Sequence, residues 1–428
     1  MTNFLIATWE GGGSVMPMLT VAEKLAGRGH RVRVMSDRCN RPEAEACGGA
    51  FIPWTRAPSR PDRSRETDSF RDWEAATPQA QLRLALERVW AGPALDYAED
   101  VIAELRRAPA DLVVSSEMLL GVIAGCEAIG QPCVAMTCNI NPFGTPGIPP
   151  VGPGLVPACT PEDEAVHRAV AAGNEALFAT GLPMLNAARR LLGLRPLARL
   201  ADQIDAAAAL LVGTSAAFDF APPTLPPHIH YIGPQLADPP WAAPWRSPWS
   251  ADDARPLILV AFSTTFQDHV GVLQAVIDGA ADLPVRLLVT LGDTIAPEEL
   301  RPAANCELAH SAPHDQVMPE AALVITHGGH GTVTRALTHL KPMIVVPHGR
   351  DQHDNAVRVT ARGAGLSLPA DAAAADFRAA IAQLLADPRY AEAAWTLGMQ
   401  VADDMRQSPA AELLERLAAG CRARRRAA

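Results

Sequence analysis

Strand-length apolar runs recur along this chain, each followed by a stretch with helical spacing, and the series is broken once by a segment that belongs to neither. Phe4–Thr8, Arg31–Met35, Leu112–Ser115 and Cys133–Thr137 precede the break; Leu257–Ala261, Val285–Thr290, Leu323–Thr326 and Met343–Val346 follow it. A strand that is apolar on both faces must be covered on both, which is the condition of a parallel sheet with crossover helices above and below it. The pattern confines the chain to the α/β class, with doubly wound sheets. The break, GPQLADPPWAAPWRSPWSADDARP at Gly233–Pro256, holds three of the eight tryptophans and the proline punctuation of a stiff linker. At 428 residues the chain exceeds one ordinary core. The expected division is a first domain over 1–235, a linker over 236–256, a second domain over 257–405 and a closing helix over 406–428.

Between these strands the spacing predicts helices at Val15–Ala26, Gln79–Arg107, Gly121–Ile129, Val272–Ala280, Thr332–His339 and Asn355–Arg362, with three more after Ala372. NPFGTPGIPPVGPGLVP, Asn141–Pro157, is too proline-rich for an element interior and reads as a long surface loop. With 48% hydrophobic and 20% charged residues the chain can bury two cores, and a formal charge of −10 argues against a nucleic-acid partner. No pair of the eight cysteines has the spacing of a zinc knuckle or redox dithiol. Met1–Glu10 has no basic leader, and Leu112–Cys126 is interrupted by Ser115, Ser116 and Glu117, so neither a secretory signal nor a membrane span is expected. The expected location is the cytoplasm. The basic tail Arg422–Arg426 reads as a solvated helix end.

The densest constellation is LVITHGGHGTVTRALTHLKPMIVVPHGRDQHDNAVRV, Leu323–Val359. An apolar strand ends at Thr326, a turn rich in glycine exposes backbone amides, and a helix begins, its positive end facing the turn. That arrangement suits an anion; Thr332 adds a hydroxyl and His327 a ring donor for phosphoryl oxygens. The next strand ends before Asp351 and Gln352, an adjacent carboxylate and amide suited to sugar hydroxyls, at the strand edge where open α/β sheets take ligands. Asp351 serves equally as a helix N-cap. Phosphate donors beside sugar binders suggest a nucleotide sugar.

The order H-G-G-x-G-T, A-L, P, then P-x-x-x-D-Q-x-x-N-A-x-R-V resembles the donor signature of the UDP-glycosyltransferase superfamily, in particular its bacterial macrolide and natural-product glycosyltransferases. AGRGHRVRV, the IGP at Ile232–Pro234, FSTT at Phe262–Thr265 and SAPHDQVMPEAALVITHGG extend the likeness over most of the chain. The resemblance implies the GT-B fold, two Rossmann-like domains facing across a cleft. The first would bind the acceptor and the second the nucleotide sugar, with the last helix crossing back. It implies diphosphate contacts at His327, Gly329, Gly331 and Thr332, a phosphate contact at Thr264, a nucleobase contact at Ala312 within Ser311–His314, and sugar contacts at Asp351 and Gln352. The implied activity is inverting transfer of a sugar from a UDP- or dTDP-sugar to a hydrophobic small molecule, a secondary metabolite such as an antibiotic, through O, N or C. The nucleotide sugar is a co-substrate; no further cofactor and no metal are expected, since there is no Asp-x-Asp triplet and cationic help is assigned to His327 and the helix end. The oligomeric state stays open, a homodimer included. Where the family has glycine before its Lys-Pro equivalent, this chain has Leu340, which concerns a helix C-cap rather than a ligand.

The first-domain turn departs further. Relatives that glycosylate hydroxyls read G-H-x-x-P there, the histidine acting as base with an aspartate partner; here the turn is GGGSVMP, with Ser14 in the base position and Ser116 near the partner's place. A serine hydroxyl alone is too weak a base, and Ser14 by itself reads as an N-cap. Three readings remain. Glu10 or Glu117 replaces the histidine, its basicity raised by burial; or the acceptor needs little proton removal and stabilisation of the leaving diphosphate carries catalysis; or the chain binds a nucleotide sugar without turnover. Another GT-B activity, such as a nucleotide-sugar epimerase, is the remaining alternative.

Overall fold

The computed structural model describes residues 1–238, 244–262, 267–292, 295–407 and 409–427. Seven parallel strands form the first sheet: β1 (Asn3–Ala7), β2 (Arg31–Ser36), β3 (Ala50–Pro53), β4 (Leu112–Ser116), β5 (Cys133–Thr137), β6 (Leu210–Val212) and β7 (Ile229–Tyr231), in the order β3-β2-β1-β4-β5-β6-β7. Six form the second: β8 (Leu257–Ala261), β9 (Arg286–Thr290), β10 (Cys306–Ala309), β11 (Ala321–Thr326), β12 (Met343–Val345) and β13 (Gly365–Ser367), in the order β10-β9-β8-β11-β12-β13, again all parallel. Successive side chains point to opposite faces, so Leu5 and Ala7 enter one core of the first sheet while Phe4 and Ile6 enter the other. The second sheet divides in the same way, Ile258 and Val260 from Leu257 and Leu259. Two Rossmann-like α/β units result, as the apolar runs require.

Of the unpredicted strands, β3 and β10 are sheet margins with mostly half-buried residues, and β13 is the opposite margin of its sheet. A margin strand needs less apolar surface, so its residues do not form a continuous run. The stretch predicted as one helix over Gln79–Arg107 is two, Pro78–Ala85 and Ala94–Arg107, joined by a wide turn at Leu86–Trp90. A Cβ at Gly92 would stand 1.7 Å from the Glu87 carbonyl oxygen, and Pro93 has no amide to continue a helix.

The two units are stitched together. The helix Ala410–Ala427 packs Leu413, Leu414 and Ala418 into the first unit's core beside Phe4 and Leu112, and its Glu415 pairs with Arg28 at 2.8 Å and His30 at 2.7 Å. On the other side Arg358, 1% exposed, meets the equally buried Asp219: Nε donates to Oδ1 at 2.9 Å, and Nη2 lies 2.7 Å from the same oxygen but out of line for a hydrogen bond. From the proline-rich loop, Gly152 N donates to Asp354 Oδ2 at 2.7 Å. No helix among the described residues is long and apolar enough to cross a membrane.

Candidate active site

Parallel strands bring their carboxyl ends to one edge, and in the second sheet that edge reads β10, β9, β8, β11, β12 in space. Ala312 follows β10, His327 and the glycine turn follow β11, and Asp351 follows β12. Four strand spacings of about 4.8 Å give a row of roughly 19 Å. Gly328 turns the chain at φ +96, where a Cβ would meet Val345 Cγ1 at 2.9 Å. A Cβ at Gly329 would stand 2.7 Å from His327 Nε2, so ring and turn fit only in its absence. At Gly331 nothing lies within 4 Å: the first turn of the helix His330–Thr338 opens into space. The Thr332 and Val333 amides both donate to Gly329 O at 3.0 Å, so the His330 and Gly331 amides are the leading ones without a helical acceptor, and the positive end of the helix lies there. Fully buried Asn355 rivets the turn to the Asp351 carboxylate, its Nδ2 donating to Gly328 O at 2.9 Å and to Asp351 Oδ2 at 3.0 Å.

Behind the turn, His327, His269, His348 and Phe262 pack ring against ring, with centroids 4.5 to 6.0 Å apart. Burial, reinforced by Arg350 and His348, pulls His327 down to about 3, and burial with the neighbouring histidines pulls His269 to about 2. His327 is therefore a neutral ring, and the expectation that it supplies a cation is corrected: it can donate a hydrogen bond but brings no charge. Its Nδ1 is buried with no partner among the described residues.

On the first sheet, β1, β4 and β5 end side by side. Ser14 leads the helix Val15–Gly27, yet its hydroxyl makes no capping bond, so the N-cap reading does not hold for its side chain. Its carbonyl accepts from Thr8 Oγ1 at 3.4 Å and from Cys138 Sγ at 3.1 Å. Glu10 has both oxygens engaged, Oε1 by Gly12 N at 2.8 Å and Oε2 by Arg63 Nε at 3.2 Å. It braces the turn. Glu117, 1% exposed, accepts from Ser116 Oγ at 3.2 Å, and burial pushes its carboxyl up to about 7 against that bond and those from its own amide and that of Met118. The two edges meet where Asn139 Nδ2 donates to Asp351 Oδ2 at 3.2 Å.

Two facing parallel sheets, each presenting its carboxyl edge to a shared cleft, are also what the similar structures contain. The crystal structure of the glycotransferase of kitacinnamycin superposes with a TM-score of 0.76 at 19% identity, covering 97% of this chain and 98% of that one. Glycosyltransferase VinC in complex with dTDP superposes with a TM-score of 0.65 at 18% identity, covering 98% and 99%. Residues 269–419 match the erythromycin biosynthesis protein CIII-like C-terminal domain. Among curated proteins, 4'-demethylrebeccamycin synthase of Lentzea aerocolonigenes is 28% identical over 392 residues, 90% of this chain and 92% of its own length. The chain is a glycosyltransferase with the GT-B fold.

In this glycosyltransferase the sequence-derived residues fall into three groups. His327, Gly329, Gly331 and Thr332 lie together on the turn and first helical turn after β11, with Asp351 beside them. Ala312 follows the strand at the sheet margin, with its side chain buried in the core cluster that holds Val317 and Met318. Gln352 is 1% exposed, where its Oε1 accepts from His348 N at 2.7 Å and Gly349 N at 3.1 Å and its Nε2 donates to Gln267 at 2.9 Å. Its amide shapes the loop. Thr264 lies outside the described residues. Leu340 takes φ +61, the conformation for which glycine is favoured, as its position after the helix requires. No group of three or more His, Cys, Asp or Glu among the described residues could hold a metal ion.

Sequence reasoning missed Asn139, Asn355 and the Arg350–Asp72 pair. Asn355 stood in the quoted signature, and its spacing of four from Asp351 on one helix face was the available signal. Arg350 Nε donates to buried Asp72 Oδ2 at 2.6 Å, and its guanidinium lies 5.5 Å from the Phe70 ring centroid. That cross-cleft clasp joins segments 278 residues apart and has no local sequence signal.

Proposed function

We propose that the enzyme transfers a sugar, with inversion, from a dTDP- or UDP-sugar to a hydrophobic secondary metabolite. The observation that carries this reading is the bridge Asn139–Asp351, which sets the sugar-side carboxylate of one sheet edge against the open edge of the other. A donor laid along the 19 Å row, roughly four strand spacings, has its base by Ala312 and its diphosphate over Gly329, Gly331 and Thr332. Its sugar then lies at Asp351, within reach of an acceptor held by the first unit. The helix end and amides stabilise the departing diphosphate, and neutral His327 adds a hydrogen bond. The VinC structure with dTDP supports a nucleotide diphosphate in such a fold, and the name of the rebeccamycin relative supports a natural-product acceptor. For the acceptor's body the proline-rich loop roofs a cavity of about 780 Å³ lined by Phe143, Ile148, Ile204 and Leu210 among others. Its wall residue Asn141 is two residues from Asn139, at most about 7 Å along the chain.

The test is a panel of dTDP- and UDP-sugars against polycyclic, macrolide and phenolic acceptors, read by product mass and nucleotide release. Acceptor-dependent release with a glycosylated product is the expected result. Release without acceptor points to epimerase-like or hydrolytic chemistry, and tight nucleotide binding without turnover points to an auxiliary protein; either refutes the proposal.

A further inference from the structure

The first-domain turn lacks the histidine that a base would need, but a buried carboxylate ends the strand between the two to which that turn is bonded. In the order β1-β4-β5, β4 is the middle strand. Ala7 lies level with Ser115, and Ser116 with Met136, so Glu117 stands at the height of Trp9 and Thr137. Ser14 spans that gap from above: its carbonyl is held by Thr8, just past β1, and by Cys138, just past β5. The strands that hold Ser14 thus flank β4 on both sides, and the Cys138 thiol that bonds the Ser14 carbonyl also feels the Glu117 charge, which places the two residues in one neighbourhood at this strand edge. Glu117 is itself too buried to touch an acceptor, whereas Ser14 is half-exposed and its hydroxyl makes no capping bond.

We infer, resting on the transfer reading above, that Ser14 and Glu117 act as one base, the serine hydroxyl relaying the acceptor's proton to the glutamate carboxylate. In the step the acceptor's lone pair forms the new bond to the anomeric carbon while the bond from that carbon to the diphosphate oxygen breaks, its electron pair leaving with the nucleotide. The acceptor's proton passes to Ser14 Oγ, the Ser14 hydroxyl proton passes to a Glu117 oxygen, and the neutral glutamic acid returns its proton to solvent after product leaves. The hydrogen bond between the two side chains closes with acceptor bound, as catalytic contacts tighten in complexes. From β5 the thiol of Cys138 faces Glu117, and that thiol's own elevation arises from burial and then from the Glu117 charge. The hydroxyl of Ser116 is bonded to Glu117 Oε2. The carboxyl poised near 7 is matched to taking a proton at neutral pH. Glu10, braced by Arg63 and Gly12, is thereby set aside as the base.

The experiment is steady-state transfer, with an acceptor the wild type accepts, across pH 5.5 to 9 for wild type, Ser14→Ala, Ser14→Thr, Glu117→Gln and the double variant, alongside dTDP affinity and thermal stability. Expected is a fall in kcat of about 100-fold or more for Ser14→Ala and for Glu117→Gln, the size of general-base assistance, with dTDP affinity within twofold of wild type. Glu117→Gln also loses the acid limb of the pH profile near 7, Ser14→Thr recovers a large part of the rate, and the double variant is no slower than either single one. Ser14→Ala, on the half-exposed turn, keeps the inference falsifiable should the buried Glu117→Gln fail to fold. The relay is overturned alone if wild type transfers sugar and Ser14→Ala keeps more than half its kcat, or if Glu117→Gln retains the acid limb. A wild-type enzyme that binds dTDP and transfers nothing overturns the transfer reading, and the relay with it.

Discussion

Replacing Gly331 by alanine separates what a donor requires of the glycine turn from what the protein requires. A Cβ at Gly331 meets nothing within 4 Å, and the residue sits in the first turn of the helix His330–Thr338 without positive φ. The protein gains, because alanine there gives up less backbone freedom on folding, about 0.5–1 kcal/mol. For a domain of this size that is a rise in Tm of roughly 1–4 °C. Only a ligand can object to the methyl group. If the diphosphate lies against these amides, the methyl holds it off at least one charge-assisted hydrogen bond of about 1.5–3 kcal/mol, a loss in dTDP affinity of roughly 10- to 150-fold. Gly329→Ala is the contrast: its Cβ would collide with His327 Nε2 at 2.7 Å, so stability and affinity fall together. The assay is calorimetric titration with dTDP and UDP beside thermal unfolding. A Gly331→Ala protein that is as stable as wild type or more so, and binds both nucleotides within twofold of it, refutes the placement of the diphosphate.

Asp219→Asn strands the buried Arg358 charge at the seam between the two units and lowers stability by about 3–5 kcal/mol in urea unfolding; a loss below about 1 kcal/mol contradicts the seam's importance. Glu117→Gln alters the pH dependence of stability. The folded carboxyl is raised from 4.5 to about 7, so its contribution is present below pH 4.5 and is lost as pH rises through 7; the variant's Tm relative to wild type therefore climbs between pH 4.5 and 7.5, and a flat difference refutes the assignment. Glu10→Gln keeps an oxygen for Gly12 N but loses the Arg63 ion pair, so it lowers Tm and leaves the acid limb of the rate profile in place.

Legibility differed between the halves for a physical reason. Anion binding by a turn and a helix end is local, completed within a dozen residues, so His327 through Thr332 could be read in one pass. The bonds of the Gln352 amide to His348, Gly349 and Gln267 were not legible, because a residue's type does not announce such partners. His327 lost its expected charge for a similar reason, since its environment of His269, His348 and Phe262 is assembled from three separate segments. Glu117 and Ser14, 103 positions apart in the chain, come to one sheet edge only because β4 inserts between β1 and β5.

The sequence by itself determined the class of fold, because continuous apolar runs can be satisfied only by sheets covered on both faces, and it determined the glycine turn and the helix after β11, because glycine spacing and helix polarity act over a few residues. The tertiary structure alone decided which carboxylate is buried at the end of β4, which side chain reaches Asp351 from the other sheet and which cation crosses the cleft. Those outcomes depend on strand order and burial, and both are properties of the assembled sheets.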